Sequence, residues 1–378
     1  MRVYLDNAAT TPLDPEVFEA MKPFMLEDFG NPSSTHSHGR KVRAAVESAR
    51  KKVAELLNCT PGEIIFTSGG TEADNAIIRS AVATYNIKNI ISSPIEHHAV
   101  THTVELMGKS GIATHMVNLD SKGHVDVAHL EDLLKKYPGS LVSLMHANNE
   151  IGNLLDLKLV GDLCAANNAF LHSDTVQTVG HYKHDMKVLQ VCGMAAAAHK
   201  FHGPKGCGFM FIRKDKKIHA FIHGGAQERN MRGGTENVYG IIGLAKALEI
   251  AYRDMDEHTR HIEGLKSRMI EKLKDQIPGV TFNGDSANLK KSLYTVLNVS
   301  LPESDESDML LFNLDLSGIS ASGGSACSSG ATTGSHVLGA LYPGSKRGAV
   351  RFSFSKYNTA DDIDFAVSKL AEFYKVAV

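Results

Sequence analysis

EIIFTSGGTEADNAIIRSAVATYNIKNIISSP (63–94) contains a strand, a glycine turn, a helix and a second strand in close succession. The β-branched and aromatic residues of EIIFTS (63–68) read as a strand, and Gly69 and Gly70 end it. Alanines and isoleucines from 69 to 85 suit a helix, after which KNIISSP (88–94) runs extended to the polar pair His97 and His98. The same alternation continues outward. IATHMVN (112–118) reads as a strand and DVAHLEDLLKKY (126–137) as an amphipathic helix. SLVSLMHANN (140–149), NAFLHSD (168–174) and GCGFMFIR (206–213) supply further strands. Strands separated by helices at this spacing predict an α/β sheet covered on both faces.

Near residue 245 the pattern changes. AKALEIAYRDMDEHTRHIEGLKSRM (245–269) has no proline and predicts a continuous helical linker. YTVLNVSL (294–301) and VRFSFS (350–355) alternate as strands of a smaller α+β lobe.

A chain of 378 residues, 43% hydrophobic and 22% charged, can bury a large core and is not of disordered or collagen-like composition. Forty basic and forty-two acidic residues give a net charge of -2, which removes the bulk electrostatic reason for a nucleic-acid or anionic-membrane partner. No apolar run approaches the roughly 18 residues of a membrane span, and MRVYLDNAATTPLDPEV (1–17) has no apolar signal core. Cysteines 59, 164, 192, 207 and 327 show no C-x-x-C spacing, so a reducing, cytoplasmic compartment is expected.

Three stretches suggest chemistry. SGGTEADN (68–75) joins a strand to a helix, where Gly70, Thr71 and exposed N–H groups can hold an anion; a plain threonine-capped turn is the structural alternative. Lys200 lies in AAAAHKFHGPKG (195–206), between small apolar residues and a glycine turn. A desolvated amine there is a candidate Schiff-base residue, with Asp174 upstream as a partner for a protonated pyridine nitrogen. The alternative is that Asp174 caps a helix and Lys200 is a solvated loop charge. Cys327 lies in ISASGGSACSSGATTGSHVL (319–338), a small-residue run with little packing value, where a reactive thiol is the better reading. The other four cysteines read as core or turn residues. Histidines 36, 38, 97, 98 and 102 are numerous but lack zinc-site spacing, so no permanent metal is expected.

Nine segments occur in one order: LDNAATTP (5–12), GNPSSTHSHG (30–39), SGGTEADN (68–75), EHHAV (96–100), HANNEIG (146–152), HSDTVQTVG (172–180), AHKFHGPKG (198–206), RGGTENV (232–238) and GSACSSG (324–330). In them the chain resembles the cysteine desulfurases, class-V aminotransferases of fold type I that use pyridoxal 5'-phosphate. The resemblance implies a large domain with a mostly parallel seven-stranded sheet between helices, plus a smaller α+β domain. It places an N-terminal segment at 1–15, the large domain at 16–250 and the small domain with the cysteine loop at 251–378.

Residue by residue, the resemblance makes Lys200 the cofactor-bearing lysine, His97 the imidazole stacked on the ring and a proton carrier, and Asp174 the ring-nitrogen partner. Gln177 would bond the ring hydroxyl oxygen, while Gly70, Thr71 and His199 would approach the phosphate. Thr235 would reach the phosphate of a neighbouring subunit, implying a homodimer with shared sites. Arg351, Asn148 and the backbone at Ala8 and Ala9 would hold the substrate carboxylate. Cys327 would take sulfur from L-cysteine as a persulfide, leaving L-alanine, and could serve as a transient iron–sulfur ligand. The separation of 24 positions from Cys327 to Arg351 is similar to the housekeeping branch, which hands sulfur to iron–sulfur scaffold proteins and tRNA-thiolation partners.

One departure stands out. The family has a serine two positions before the histidine that precedes the lysine, and here that position is Ala197. One phosphate hydrogen bond is then lost or replaced by water, and weaker cofactor retention is expected. Two other functions stay open: a selenocysteine lyase or another class-V enzyme using the same lysine, and a non-catalytic scaffold that kept the fold.

Overall fold

In a computed structural model the described residues are 1–304, 307–323 and 334–374. Seven strands form the main sheet: β2 (Ile64–Thr67), β3 (Asn89–Ser92), β4 (Ala113–Met116), β5 (Leu141–Ser143), β6 (Phe170–Asp174), β7 (Gly193–Ala197) and β8 (Gly208–Ile212). Their order is β2-β8-β7-β6-β5-β3-β4, and only β8 runs antiparallel to its neighbours. Helices follow the strands: α1 (Pro15–Leu26) and α2 (Ser37–Leu56) precede β2, then come α3 (Gly70–Tyr85), α4 (His98–Lys109), α5 (Val127–Lys136), α6 (Leu157–Ala166) and α7 (Val238–Arg253).

The strand alternation decides which helices each face meets. Ile65, Ile90, Leu141, Ala195 and Met210 point toward α3 and α4, packing on Ile77, Ala81 and Val104. Phe66, Ile91, Val142, Met194 and Phe209 point the other way, onto Val53 of α2, Val160 of α6 and Leu248 of α7.

A second core lies beyond α7. It is built by α8 (Met255–Gln276), β10 (Val296–Ser300), β12 (Ala349–Ser353) and α11 (Ala360–Glu372), with β9 (Thr281–Phe282) as a short edge strand. The N-terminal strand β1 (Val3–Tyr4) joins this core by pairing with β11 (Ile319–Ser320), and Val3 and Leu5 are buried in it. The remaining described helices, α9 (Leu310–Leu316) and α10 (His336–Leu341), flank the segment that carries Cys327. Cys327 itself lies outside the described residues.

The structure revises one expectation and adds one strand. The linker over 245–269 is two helices, broken at Asp254, so α7 packs in the first core and α8 in the second. The alanine-rich run 193–197, too poor in β-branched residues to read as a strand, is β7 near the centre of the sheet. Small residues are needed there because α3 lies close: a Cβ on Gly193 would come within 2.6 Å of Ile77 Cγ2.

Candidate active site

The carboxyl ends of β2, β3, β5, β6 and β7 open onto one pocket, where an open α/β sheet offers its binding crevice. Ala8, Gly70, Thr71, His97, Asp174, Gln177, His199, Lys200 and Arg351 all line it. Asn148, expected among them, does not. Asn148 is turned away: its amide nitrogen donates to Ile95 O at 2.8 Å, and its oxygen accepts from the N–H groups of Glu150 and Ile151, each at 2.9 Å. Those bonds close the turn after β5. Asn149 lines the pocket instead, with a buried Oδ1 that has no hydrogen-bond partner. Sequence parity could not separate the pair because the chain leaves strand geometry at Ser143. Thr235 lines a different cavity, with Ser68 and Arg232.

Lys200 ends the 3-10 turn that follows β7. Its Nζ donates to the carbonyls of Ala8 at 2.6 Å and Ala9 at 2.9 Å. Gln177 Nε2 donates to the same Ala8 carbonyl at 3.0 Å, so the N-terminal segment closes one wall of the pocket. Thr10 and Thr11, which sequence reasoning passed over, fasten that segment. Thr10 Oγ1 lies 3.1 Å from His199 Nδ1, and Thr11 Oγ1 donates to His199 O while accepting from His202 N. Their only sequence signal was membership of the LDNAATTP run.

At the opposite wall, α3 begins at Gly70 with no capping side chain. Its first N–H groups and positive dipole end are left for an anion beside Thr71 and His199. A Cβ on Gly70 would lie 2.5 Å from Val176 Cγ2, so only glycine fits. Between these walls, Asp174 ends β6 and accepts from Val176 N at 2.9 Å. Burial raises its carboxyl to about 6, against the lowering influence of that N–H and of Lys200. His97 caps α4 through Nδ1, which accepts from Ala99 N at 3.1 Å. Burial, reinforced by Lys200, lowers its imidazole to about 4, so it is neutral near pH 7. Burial likewise holds His199 at about 4.

Arg351 enters from β12 and is 1% exposed. It donates to Asn149 O at 2.8 Å and to Asp6 Oδ1 at 2.9 Å, while its Nε has no partner. A buried guanidinium with an unused N–H at a pocket wall suits a carboxylate. Its backbone pairs with Ser322, five residues before Cys327 in the sequence. Cys164, Cys192 and Cys207 are buried, and burial pushes Cys164 and Cys207 up to about 12, leaving them inert thiols.

The donor set fits a phosphorylated pyridine aldehyde: an uncapped helix start for the phosphate, a carboxyl for the ring nitrogen and a lysine for the aldehyde. Residues 3–365 match the family model for aminotransferase class V. The chain is 42% identical over 372 residues to the cysteine desulfurase IscS of Dictyoglomus turgidum, spanning 97% of this chain and 93% of that protein. It is 42% identical over 375 residues to the protein of that name from Methanosarcina thermophila, covering 98% and 91%. Among solved structures, a NifS-like protein superposes with a TM-score of 0.90 at 38% identity, covering 99% of both chains.

Proposed function

The chain belongs to the cysteine desulfurases of the class-V aminotransferase family, and from that membership we infer that it removes sulfur from L-cysteine and leaves L-alanine. The observation that carries this reading is the meeting in one pocket of Lys200, Asp174, an uncapped helix start and the unfilled Nε of Arg351. Bound there, pyridoxal phosphate supplies an electron sink that makes the bonds around an amino acid's α carbon labile.

The residues divide the work. Gly70, Thr71 and His199 hold the phosphate, and Asp174 holds the ring nitrogen. His97 offers a neutral ring face and a proton carrier whose charge state is fixed by burial. Arg351 and Asn149 orient the substrate carboxylate, in place of the Asn148 first expected. Lys200 Nζ is the base for the α proton, drawn from the carbonyls of Ala8 and Ala9. Cys327 takes the substrate sulfur as a persulfide and passes it on.

The same reading extends to a cytoplasmic homodimer in which Thr235 serves the partner's phosphate, with iron–sulfur scaffold and other sulfur-acceptor proteins downstream. Thr235 faces a cavity apart from its own subunit's pocket, which supports service in a second one. No described helix is long and apolar enough to cross a membrane. A division at 1–15, 16–250 and 251–378 is supported by the two cores, with α7 and α8 meeting at Asp254.

The test is the absorption spectrum of the purified protein before and after L-cysteine is added. A visible band that shifts on addition is expected, with alanine formed by the native protein and not by Cys327→Ser. A band without alanine formation would point to a scaffold, and turnover of selenocysteine alone to a lyase.

Ala197 lines the pocket, and its Cβ lies 3.8 Å from the position of a Cβ on Gly70. Ala197→Ser therefore puts a hydroxyl beside the helix start. One added hydrogen bond of about 1.5 kcal/mol gives roughly tenfold slower cofactor loss. Dialysis followed by the visible band checks this, and equal loss rates would remove Ala197 as the weak point.

A further inference from the structure

Behind Asp174 lies a second carboxyl that the reaction described above does not use. Asp74, on the second turn of α3, lines the floor of the pocket and is 1% exposed. Its Oδ1 sits 3.2 Å from His172 Nε2 without hydrogen-bond alignment, and both atoms lack a hydrogen-bond partner among the described residues. His172 is fully buried and stands two residues before Asp174 on β6, so the two side chains share a face of the sheet. Its Nδ1 lies 2.8 Å from Ser143 Oγ on β5. The result is a line from Ser143 through His172 to Asp74.

The surroundings decide the charge. Asp74 faces Asp174 and Glu96, both buried carboxyls. Glu96 Oε1 accepts from Met145 N at 3.0 Å and its Oε2 has no partner. Burial keeps His172 neutral, pushing it down to about 3, so it offers no countercharge. Of the cations lining the pocket, Lys200 acts on Asp174 and Arg351 is joined to Asp6. Three ionised carboxylates cannot share this space. Burial, then Asp174, then Glu96 all raise Asp74, whereas Asp174 has Lys200 and the Val176 N–H to hold it lower.

We propose that Asp74 is a resident carboxylic acid set against His172 Nε2, so that Asp174 alone carries the negative charge offered to the ring nitrogen. Asp74 and His172 are thus positioning residues acting through Asp174. Their consequence for the cofactor rests on the reading of Asp174 given under the proposed function, while the proton on Asp74 does not. The arrangement keeps the electron-withdrawing end of the site at a single charge, and it makes an amide a faithful substitute at position 74.

Infrared spectroscopy of the holoprotein tests it. A protonated-carboxyl C=O band at neutral pH is expected to contain a component lost in Asp74→Asn and kept in Glu96→Gln. In His172→Phe the component should move to higher frequency as a hydrocarbon edge replaces the polar Nε2 beside it. The visible band of Asp74→Asn should titrate with the same midpoint as the native protein. No component lost in Asp74→Asn, its disappearance from the native spectrum across neutral pH, or a midpoint displaced by about one unit would each show an ionised Asp74 and overturn the proposal. Asp174→Asn separates the two readings: an unaltered visible band there would overturn the ring-nitrogen role and leave the infrared result to judge Asp74.

Discussion

Lys200→Ala is expected to bring alanine formation from L-cysteine down to background, a loss on the order of a thousandfold or more. The size follows from the two roles proposed for one amine, as the link to the cofactor aldehyde and as the base for the α proton. The fold should survive. The N-terminal segment that Lys200 Nζ touches is also held by Thr11 on His199 and His202 and by Ser353 on Ala8 N. Alanine can be quantified directly, and circular dichroism melting reports the fold. A variant that melts like the native protein yet makes alanine at more than about a tenth of its rate would remove Lys200 from the reaction, well short of the expected loss.

Arg351→Lys should separate binding from chemistry. Arginine offers Nε in addition to the two nitrogens already engaged by Asn149 O and Asp6. Lysine keeps the charge opposite Asp6 but is a point donor, unable to hold a carboxylate bidentately. Losing a charged hydrogen bond of about 3 kcal/mol corresponds to an increase in KM on the order of 100-fold. The smaller change should be in kcat, since Lys200 and Asp174 are untouched. Steady-state kinetics with L-cysteine measures both, and a lowered kcat at constant KM would assign Arg351 to the chemistry instead. Alanine is the poorer choice at this position, because it would leave the Asp6 carboxylate without its buried partner.

The sheet could be read from sequence wherever strands carry β-branched or aromatic residues, as in β2, β3, β6 and β8. β7 could not, since its sequence GMAAA obeys the close approach of α3 and not strand propensity. The motifs picked out Gly70, Thr71, Lys200 and Asp174, which the fold brings into one pocket with Arg351. They failed at Asn148, where one step along a turn exchanges a pocket residue for a structural one. Asp74 was invisible as well. An aspartate in the second turn of a helix reads as a solvated charge until β5 and β6 are seen to bury it. The N-terminal segment was legible as a motif, but not its attachment through Thr10 and Thr11.

That segment also carries a consequence for biosynthesis. Val3 and Leu5 are buried in a core otherwise supplied by residues from 262 onward, and Asp6 meets Arg351 across 345 positions. During synthesis residues 3–6 therefore wait for the segment that carries Arg351. Until β12 emerges, the Ala8 and Ala9 carbonyls lack the Ser353 hydroxyl that anchors Ala8 N, and the pocket lacks its arginine. The central sheet can assemble during synthesis, and contacts of such long range close late. A nascent chain thus has Lys200, Asp174 and the Gly70 turn in place before Arg351 joins them, so the pocket gains its guanidinium wall only after β12 has been made.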